Sequence, residues 1–339
     1  MRQRWYLYNI DKQEVAEGLS AILADFFFRA TLPSTPGAHT ALLSSIRRPS
    51  LPKEVDTWMA SGRTIIQRYG FGKLPLEVFD MIMDQLQSMD LFVLALTCKS
   101  MLCALRTRLL STLKELHAPW QNCRLILLGR NPSHRDDLPA SLHLSADERA
   151  KIFDVVMERY RNHANRYTYA FGRADPFYYL LEHLPKGLRD VEKSGRGSRR
   201  PGPTSVTRDW RRLCVLWGCG APICYPDGQP VLCNASKGEY IRADGLTAPD
   251  TTLAHALLVQ IVWSADPLTS FPRLCAEEVA RTIASGPWAG DRVSVETMET
   301  LPTLPTERRE EGWDDVTSRV DSLLWKLWTA GHLQGHQRI

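Results

Sequence analysis

The stretch Leu74–Met101, LPLEVFDMIMDQLQSMDLFVLALTCKSM, packs two short amphipathic helices and the start of a third into a segment with few charged residues. Pro75 suits a first helical turn, where its missing N–H has no intrahelical partner to lose. Glu77 follows in that turn and meets the positive end of the helix dipole. Val78, Ile82 and Leu86 recur every four residues, with Phe79, Met81 and Met83 beside them, which makes a wide apolar stripe. Ser88 or Asp90 is placed to cap a second helix with a stripe of Leu91, Leu94, Ala95 and Cys98. Lys99-Ser100 reads as a break, and Met101, Leu102, Leu105 and Leu109 suit a third helix. The stretch carries no catalytic group and reads as a docking surface.

Leu74-Pro75-x-Glu77-Val78, Ile82 and Leu86, followed by Asp90-Leu91-x-x-Leu94-Ala95-x-Thr97-Cys98-Lys99, resemble an F-box extending from Leu74 to about Leu110. The resemblance implies a helical unit that binds the Skp-type adaptor of a ubiquitin ligase and, through it, a cullin. The adaptor-binding residues it implies are Leu74, Pro75, Val78, Ile82, Leu86, Leu91, Leu94 and Cys98. The implied role is a non-catalytic substrate receptor or scaffold, which raises the effective concentration of an unnamed target protein near a conjugating enzyme. A second reading stands beside it. Amphipathic helix pairs are common, and in an interaction protein outside the ubiquitin system the same helices would be internal core. Burial of Val78, Ile82, Leu91 and Leu94 by the chain's own later helices would favour that second reading.

Composition sets the outer bounds. Ten tryptophans and 44% hydrophobic residues over 339 positions supply core for one large domain or two modest ones. A net charge of +4 is too small to argue for a nucleic-acid partner. Arg2 and Arg4 are not followed by an apolar signal region, and no run approaches the ~18 apolar residues of a membrane span. These features predict a soluble intracellular protein, cytoplasmic or nuclear, with reduced cysteines. The sequon at Asn234-Ala235-Ser236 has no meaning in those compartments.

The fold class expected is α+β, predominantly helical, with the three-helix F-box-like unit in a mostly helical chain and short strands near both ends. Expected segments are 1–60 (strand and helix), 70–112 (F-box-like), 113–191 (helical), 192–206 (flexible basic linker) and 207–339 (α+β). Trp5-Tyr6-Leu7-Tyr8 favours a strand and Asn9 to Lys12 a turn. Leu19 to Phe28 reads as buried, and the proline-bearing stretch Thr31 to Lys53 as a mobile loop. Cys123 to Gly129 suits a buried strand. Ser145-Ala146-Asp147-Glu148 is a capping box opening a helix to about Arg161, and Pro176 to Leu184 suggests another. Glu192 to Ser205 holds no large apolar side chain and reads as a solvated linker. Trp210, Leu213, Leu216 and Trp217 have helical spacing. Val231 to Asn234 and Glu239 to Arg242 read as strands around a turn, Asp250 as the cap of a helix reaching Trp263, and Trp288 to Val295 as a turn entering a strand. Asp315 to Trp328 is a final amphipathic helix.

The phrases Leu232 to Leu246 (LCNASKGEYIRADGL), His255 to Leu258, Val262-Trp263-Ser264-Ala265-Asp266-Pro267 and Trp288-Ala289-Gly290-Asp291-Arg292 resemble a fungal family, some members of which carry an F-box-like unit. That resemblance implies membership and no mechanism. The chain also echoes itself: Leu7-x-Asn9-x-x-Lys12-x-Glu14 matches Leu232-x-Asn234-x-x-Lys237-x-Glu239. Two explanations remain open here, chance agreement between turn-containing segments and a paired structural unit. The sequence shows no leucine-rich, WD or kelch period.

The rival chemistry is a zinc site on Cys214, Cys219, Cys224 and Cys233. Zinc needs about four converging soft ligands, but the intervening spacings of four, four and eight residues contain no C-x-x-C pair. Buried cysteine packs as a small hydrophobe, which is the plainer reading. His332 and His336 would share a helical face, yet Gly331 and Gly335 argue for a frayed tail. No nucleophile elbow, phosphate loop or dinucleotide fingerprint occurs. Asp314-Asp315 and Glu310-Glu311 precede the final helix, where they complement its dipole. No cofactor, enzymatic activity or membrane partner is expected.

Overall fold

The computed structural model of the chain describes residues 5–17, 38–61, 73–129, 138, 142, 144–152, 168–170, 205–217, 223–264, 282–304 and 312–335. The chain divides into two compact units. The first takes Met1–Arg48, Trp120–Gly172 and Asp227–Ile339, and the second Pro49–Pro119 and Arg173–Pro226. Both are discontinuous in sequence, so the division cuts across the expected order of segments.

The strands are β1 (Trp5–Asn9), β2 (Glu14–Glu17), β3 (Cys123–Gly129), β4 (Thr168–Ala170), β5 (Pro230–Asn234), β6 (Glu239–Arg242), β7 (Val262–Trp263), β8 (Arg292–Thr297) and β9 (Asp314–Asp315). The helices are α1 (Ala38–Ile46), α2 (Lys53–Ala60), α3 (Leu76–Asp84), α4 (Ser88–Thr97), α5 (Lys99–His117), α6 (Ser205–Trp217), α7 (Leu253–Ile261) and α8 (Thr317–Gly335). A further helix begins at 146 behind the Ser145 cap. The fold is α+β.

All the strands of the described residues lie in the first unit, in one sheet of order β4-β2-β1-β3-β8-β5-β6-β9, with β7 beside β3. Residues of a strand point alternately to opposite faces, and here both faces are covered. Trp5 and Leu7 of β1 and Leu125 and Leu127 of β3 join Leu42, Ile46, Leu257 and Ile261 from α1 and α7 and Val320 and Leu324 from α8. Tyr6, Tyr8, Ile126 and Leu128 join Leu142 and Ile152 in a separate cluster. That two-sided burial explains why β3 reads as the unbroken apolar run Leu125-Ile126-Leu127-Leu128.

The Ser145 capping box forms as its residues require: Ser145 N–H donates to Glu148 Oε2 at 2.9 Å, and Glu148 N–H donates to Ser145 Oγ at 3.1 Å. Several expectations need correction. The stretch read as a loop from Thr31 to Lys53 contains α1, whose Leu42 and Ile46 supply a buried stripe between proline-rich flanks. Asp250 does not cap α7. It adopts φ 54°, Thr252 holds the cap position, and the helix stops at Ile261, where Val262–Trp263 turns into strand. The final helix starts at Thr317 and runs through Gly331 and His332 to Gly335, despite its glycines. Asp315 caps it directly, accepting the Thr317 N–H at 2.9 Å while Arg242 Nε lies 3.0 Å from its other oxygen. The Asn234 of the sequon is buried at the end of β5, where its side chain donates to Asp291 at 2.8 Å. Leu19 to Phe28, the helix beyond 152, Pro176 to Leu184 and 192–204 lie outside the described residues.

His255, buried in α7, uses Nδ1 to accept the Thr252 N–H at 3.1 Å, and its ring meets that of His39 edge-on at 4.5 Å. Burial first, and the neighbouring His39 second, push its pKa down to about 4. Protonation would also remove the Nδ1 acceptor. The unfolded chain, with a histidine pKa of about 6.5, therefore binds the proton more readily. Stability conferred by the neutral ring is complete above pH ~6.5 and is lost as pH falls from there towards about 4. Urea unfolding at pH 7 and pH 5 should show a loss of roughly 1–2 kcal/mol that His255→Gln reduces. An equal loss in the variant would place the proton uptake elsewhere.

Candidate protein-docking face

The second unit shows how the opening stretch folds. Pro75, at φ −52° and ψ 146°, is the N-cap of α3, and its carbonyl accepts the Phe79 N–H at 3.0 Å. The second helix is not capped by Ser88 or Asp90. Gln87 holds the cap position, Ser88 is the first helical residue and Asp90 lies in the first turn. The next break falls at Cys98, which is extended at φ −159° and ψ 161°, and Lys99-Ser100 already belongs to α5. Arg108 of α5 reaches back to α3, donating through Nη2 to Asp80 Oδ1 at 3.0 Å and through Nη1 to Asp84. Those carboxylates are one helical turn apart, so a single guanidinium clamps both.

The wide apolar stripe read from the spacing divides between core and surface. Phe79 and Met83 of α3 are buried, with Leu91, Phe92 and Ala95 of α4 and Leu102, Leu105 and Leu109 of α5. Helix α6, which arrives much later in the sequence, adds Leu213, Leu216 and Trp217 to the same core. Phe92 and Trp217 meet edge-on at 4.8 Å, and Arg212 lies 5.3 Å over the Trp58 ring. His117 Nε2 lies 3.0 Å from the Trp217 carbonyl, which fixes a donor proton on that nitrogen. Burial lowers the His117 pKa, and the bond to Trp217 partly offsets this.

The expected adaptor-binding residues divide three ways. Pro75 and Val78 are exposed; Leu74, Ile82, Leu86, Leu94 and Cys98 are half-buried; Leu91, at 6% exposure, belongs to the chain's own core. Leu91 shares its buried cluster with residues of α5 and α6. Three residues absent from the expected set are also exposed: Leu76 at 70%, Met81 at 68% and Val93 at 38%. Leu76 and Met81 flank the apolar stripe of α3, so the signal was present in the same run of residues. A helix apolar on both faces with one face buried leaves the other for a partner.

Three of the four cysteines weighed for zinc, Cys214, Cys224 and Cys233, lie among the described residues. Cys233 lies in β5 of the first unit, with its Sγ 3.1 Å from Ser294 Oγ, and burial raises its pKa to about 12. Cys214 and Cys224 lie in the second unit, and burial also raises the Cys224 thiol. Zinc ligation favours the deprotonated thiolate. Cys219 and His336 lie outside the described residues. Among the described residues no group of three or more His, Cys, Asp and Glu could hold a metal ion, and no helix is long and apolar enough to cross a membrane.

Residues 71–111 match the family model described as F-box domain. No curated protein and no solved structure matches the chain.

Trp217 is fully buried against the second F-box-like helix, so Trp217→Ala should cost about 3–5 kcal/mol in the unit that contains it. Hydrogen exchange on the full chain should rise across 88–117 and stay unchanged across 230–242. Unaltered protection of 88–117 would show that α6 does not brace these helices.

Proposed function

We propose that the chain is a non-catalytic substrate receptor or scaffold of a Skp–cullin–F-box ubiquitin ligase. The observation that carries this reading is the two-sided apolar character of α3. Phe79 and Met83 are committed to the chain's own core, while Leu76, Val78 and Met81 remain exposed beside them, within the segment that matches the F-box domain. Leu74, Pro75, Val78, Ile82, Leu86, Leu94 and Cys98 would meet the adaptor, joined by Leu76, Met81 and Val93, with Leu91 supporting them from within. The adaptor would link to a cullin, and the rest of the chain would hold a target protein. The role is one of proximity, and no side chain of this unit need take part in bond making.

Burial of Leu91 and the packing of α6 across α4 favour a second reading, an interaction protein outside the ubiquitin system whose F-box helices are mainly internal. Adaptor pull-down distinguishes the two. The full chain should bind a purified Skp-type adaptor at micromolar concentration. Met81→Glu, a change at a residue 68% exposed, should weaken binding at least about tenfold without moving the thermal midpoint. Leu74→Ala with Pro75→Ala should weaken it as well. No binding by the wild type, or unchanged binding by Met81→Glu, would retire the ligase reading.

A further inference from the structure

The echo between the two hairpins extends through the whole sheet unit. Asn9 pairs with Glu14 at the end of the first hairpin, and Asn234 pairs with Glu239 at the end of the second. In each turn the asparagine Oδ1 accepts a lysine N–H at 3.1 Å, from Lys12 and from Lys237. The residue after each lysine has positive φ, 56° at Gln13 and 68° at Gly238. Each hairpin glutamate accepts an indole N–H, Glu14 from Trp120 at 2.7 Å and Glu239 from Trp288. The backbone N–H of each tryptophan donates to a helix carbonyl, Trp120 to Ser45 at 2.9 Å and Trp288 to Gln260 at 2.8 Å. Those helices share a further pattern: Ala41-Leu42-Leu43-x-x-Ile46 in α1 and Ala256-Leu257-Leu258-x-x-Ile261 in α7. Two residues beyond each tryptophan φ is again positive, 58° at Asn122 and 81° at Gly290, and each arginine that follows starts or nearly starts a strand, Arg124 and Arg292.

Contacts between the two sets are reciprocal. Asn122 N–H donates to the Val293 carbonyl at 2.9 Å, and Gly290 N–H donates to the Leu125 carbonyl at 2.8 Å. Val262 after α7 pairs in parallel with Leu127 of β3, and Arg47 after α1 bridges in parallel to Val295 of β8. Arg124 stands opposite its own counterpart, Arg292, where β3 and β8 pair. Position i touching j while j touches i is the signature of a two-fold axis.

We infer that the sheet unit is two copies of one fold, closed on a shared core around a two-fold axis between Arg124 and Arg292, and that the F-box-bearing unit is an insertion into the first copy. In the second copy the chain leaves β7, returns at Ser285 opposite Trp263, and reaches Trp288. At the corresponding point of the first copy, between Arg48 and Trp120, lie residues 49–119, the F-box helices. The inference rests on the sheet unit alone and does not depend on adaptor binding.

The copies differ at one informative place. Asn234 donates to Asp291, and Lys237 Nζ lies 3.1 Å from the same carboxylate. In the first copy Cys123 stands at the position of Asp291, the buried Asn9 Nδ2 makes no hydrogen bond, and Lys12 and Arg292 are nearby cations with Asp11 a nearby anion. A carboxylate introduced into a buried site without partners unfolds most proteins. If the copies are equivalent, Cys123→Asp recreates the second copy's arrangement and meets Asn9 and Lys12. Its thermal midpoint should fall within about 2 °C of the wild type or above it. Cys233→Asp, whose counterpart in the first copy is Tyr8, should lose the folded state. A loss for Cys123→Asp comparable to that for Cys233→Asp would overturn the equivalence. Independently, in a crystal structure of the full chain, residues 5–17, 38–47 and 120–129 should superpose on 230–242, 253–262 and 288–297 by a rotation of roughly 180°. A rotation far from that value overturns the inference whatever the variant does. Failure of adaptor binding would retire the ligase reading and leave this one standing.

Discussion

The seam where β3 meets β8 is the constraint on which the sheet unit depends. Only Cys123 with Val293 and Arg124 with Arg292 pair there as strand partners, yet through them the two ends of the sheet become one. The two hairpins lie far apart in sequence, and neither could bury its apolar face alone. Leu42 and Ile46 from α1 and Leu257 and Ile261 from α7 complete one core over the seam. Closing such long-range contacts is entropically costly, and the closure holds because both hairpins and both helices contribute to the same buried cluster.

The polar groups at the seam hold its register. Asp11 receives the Arg124 N–H at 3.0 Å and Arg124 Nε at 2.7 Å, and it also accepts from Arg292 Nη1 at 2.8 Å. One carboxylate thus bridges two arginines that stand opposite each other. Arg124 reaches Glu148 as well, at 2.6 Å, and this holds Glu148 below the ordinary carboxylate range. The counterpart of Asp11 in the second hairpin is Ser236, whose hydroxyl accepts the Arg292 N–H at 3.0 Å but brings no charge. A second aspartate would put two carboxylates beside the arginine pair. The asymmetry balances the charge at an axis that would otherwise duplicate it.

Local chemistry made part of this legible in the sequence. The buried run of β3, the Ser145 box and the two hairpins follow from residue type and spacing over a few positions. Helix α1 did not, because prolines at 33, 36, 49 and 52 mask an apolar stripe of only four residues. Its match to α7 through Ala-Leu-Leu-x-x-Ile was available, but only comparison of distant segments exposes it. The reach of α8 past Gly331 was hidden for a different reason: anchoring by Val320, Leu324 and Leu327 outweighs the helix cost of glycine. Along α3 and α4, periodicity identified the right helices but did not divide their apolar residues between core and surface. Val78 and Phe79 are adjacent and both apolar, and only the approach of α5 and α6 decides which turns inward.

That decision bears on what the second unit can do. A four-residue repeat of apolar side chains cannot distinguish a core stripe from an exposed one, and α3 carries both. With Phe79 and Met83 buried in the unit's core and Arg108 of α5 holding Asp80 and Asp84, the rotation of α3 about its own axis is set by the chain itself. Leu76, Val78 and Met81 are then presented without further ordering of the backbone. Pre-organisation of this kind lowers the entropic cost of association. Helix α6 serves the same end from the opposite side, holding α4 through Phe92 while leaving Val93, the next residue, at the surface. Leu91 and Phe92 share their buried cluster with Leu213, Leu216 and Trp217 of α6, so closing this core also decides which residues of α4 stay at the surface.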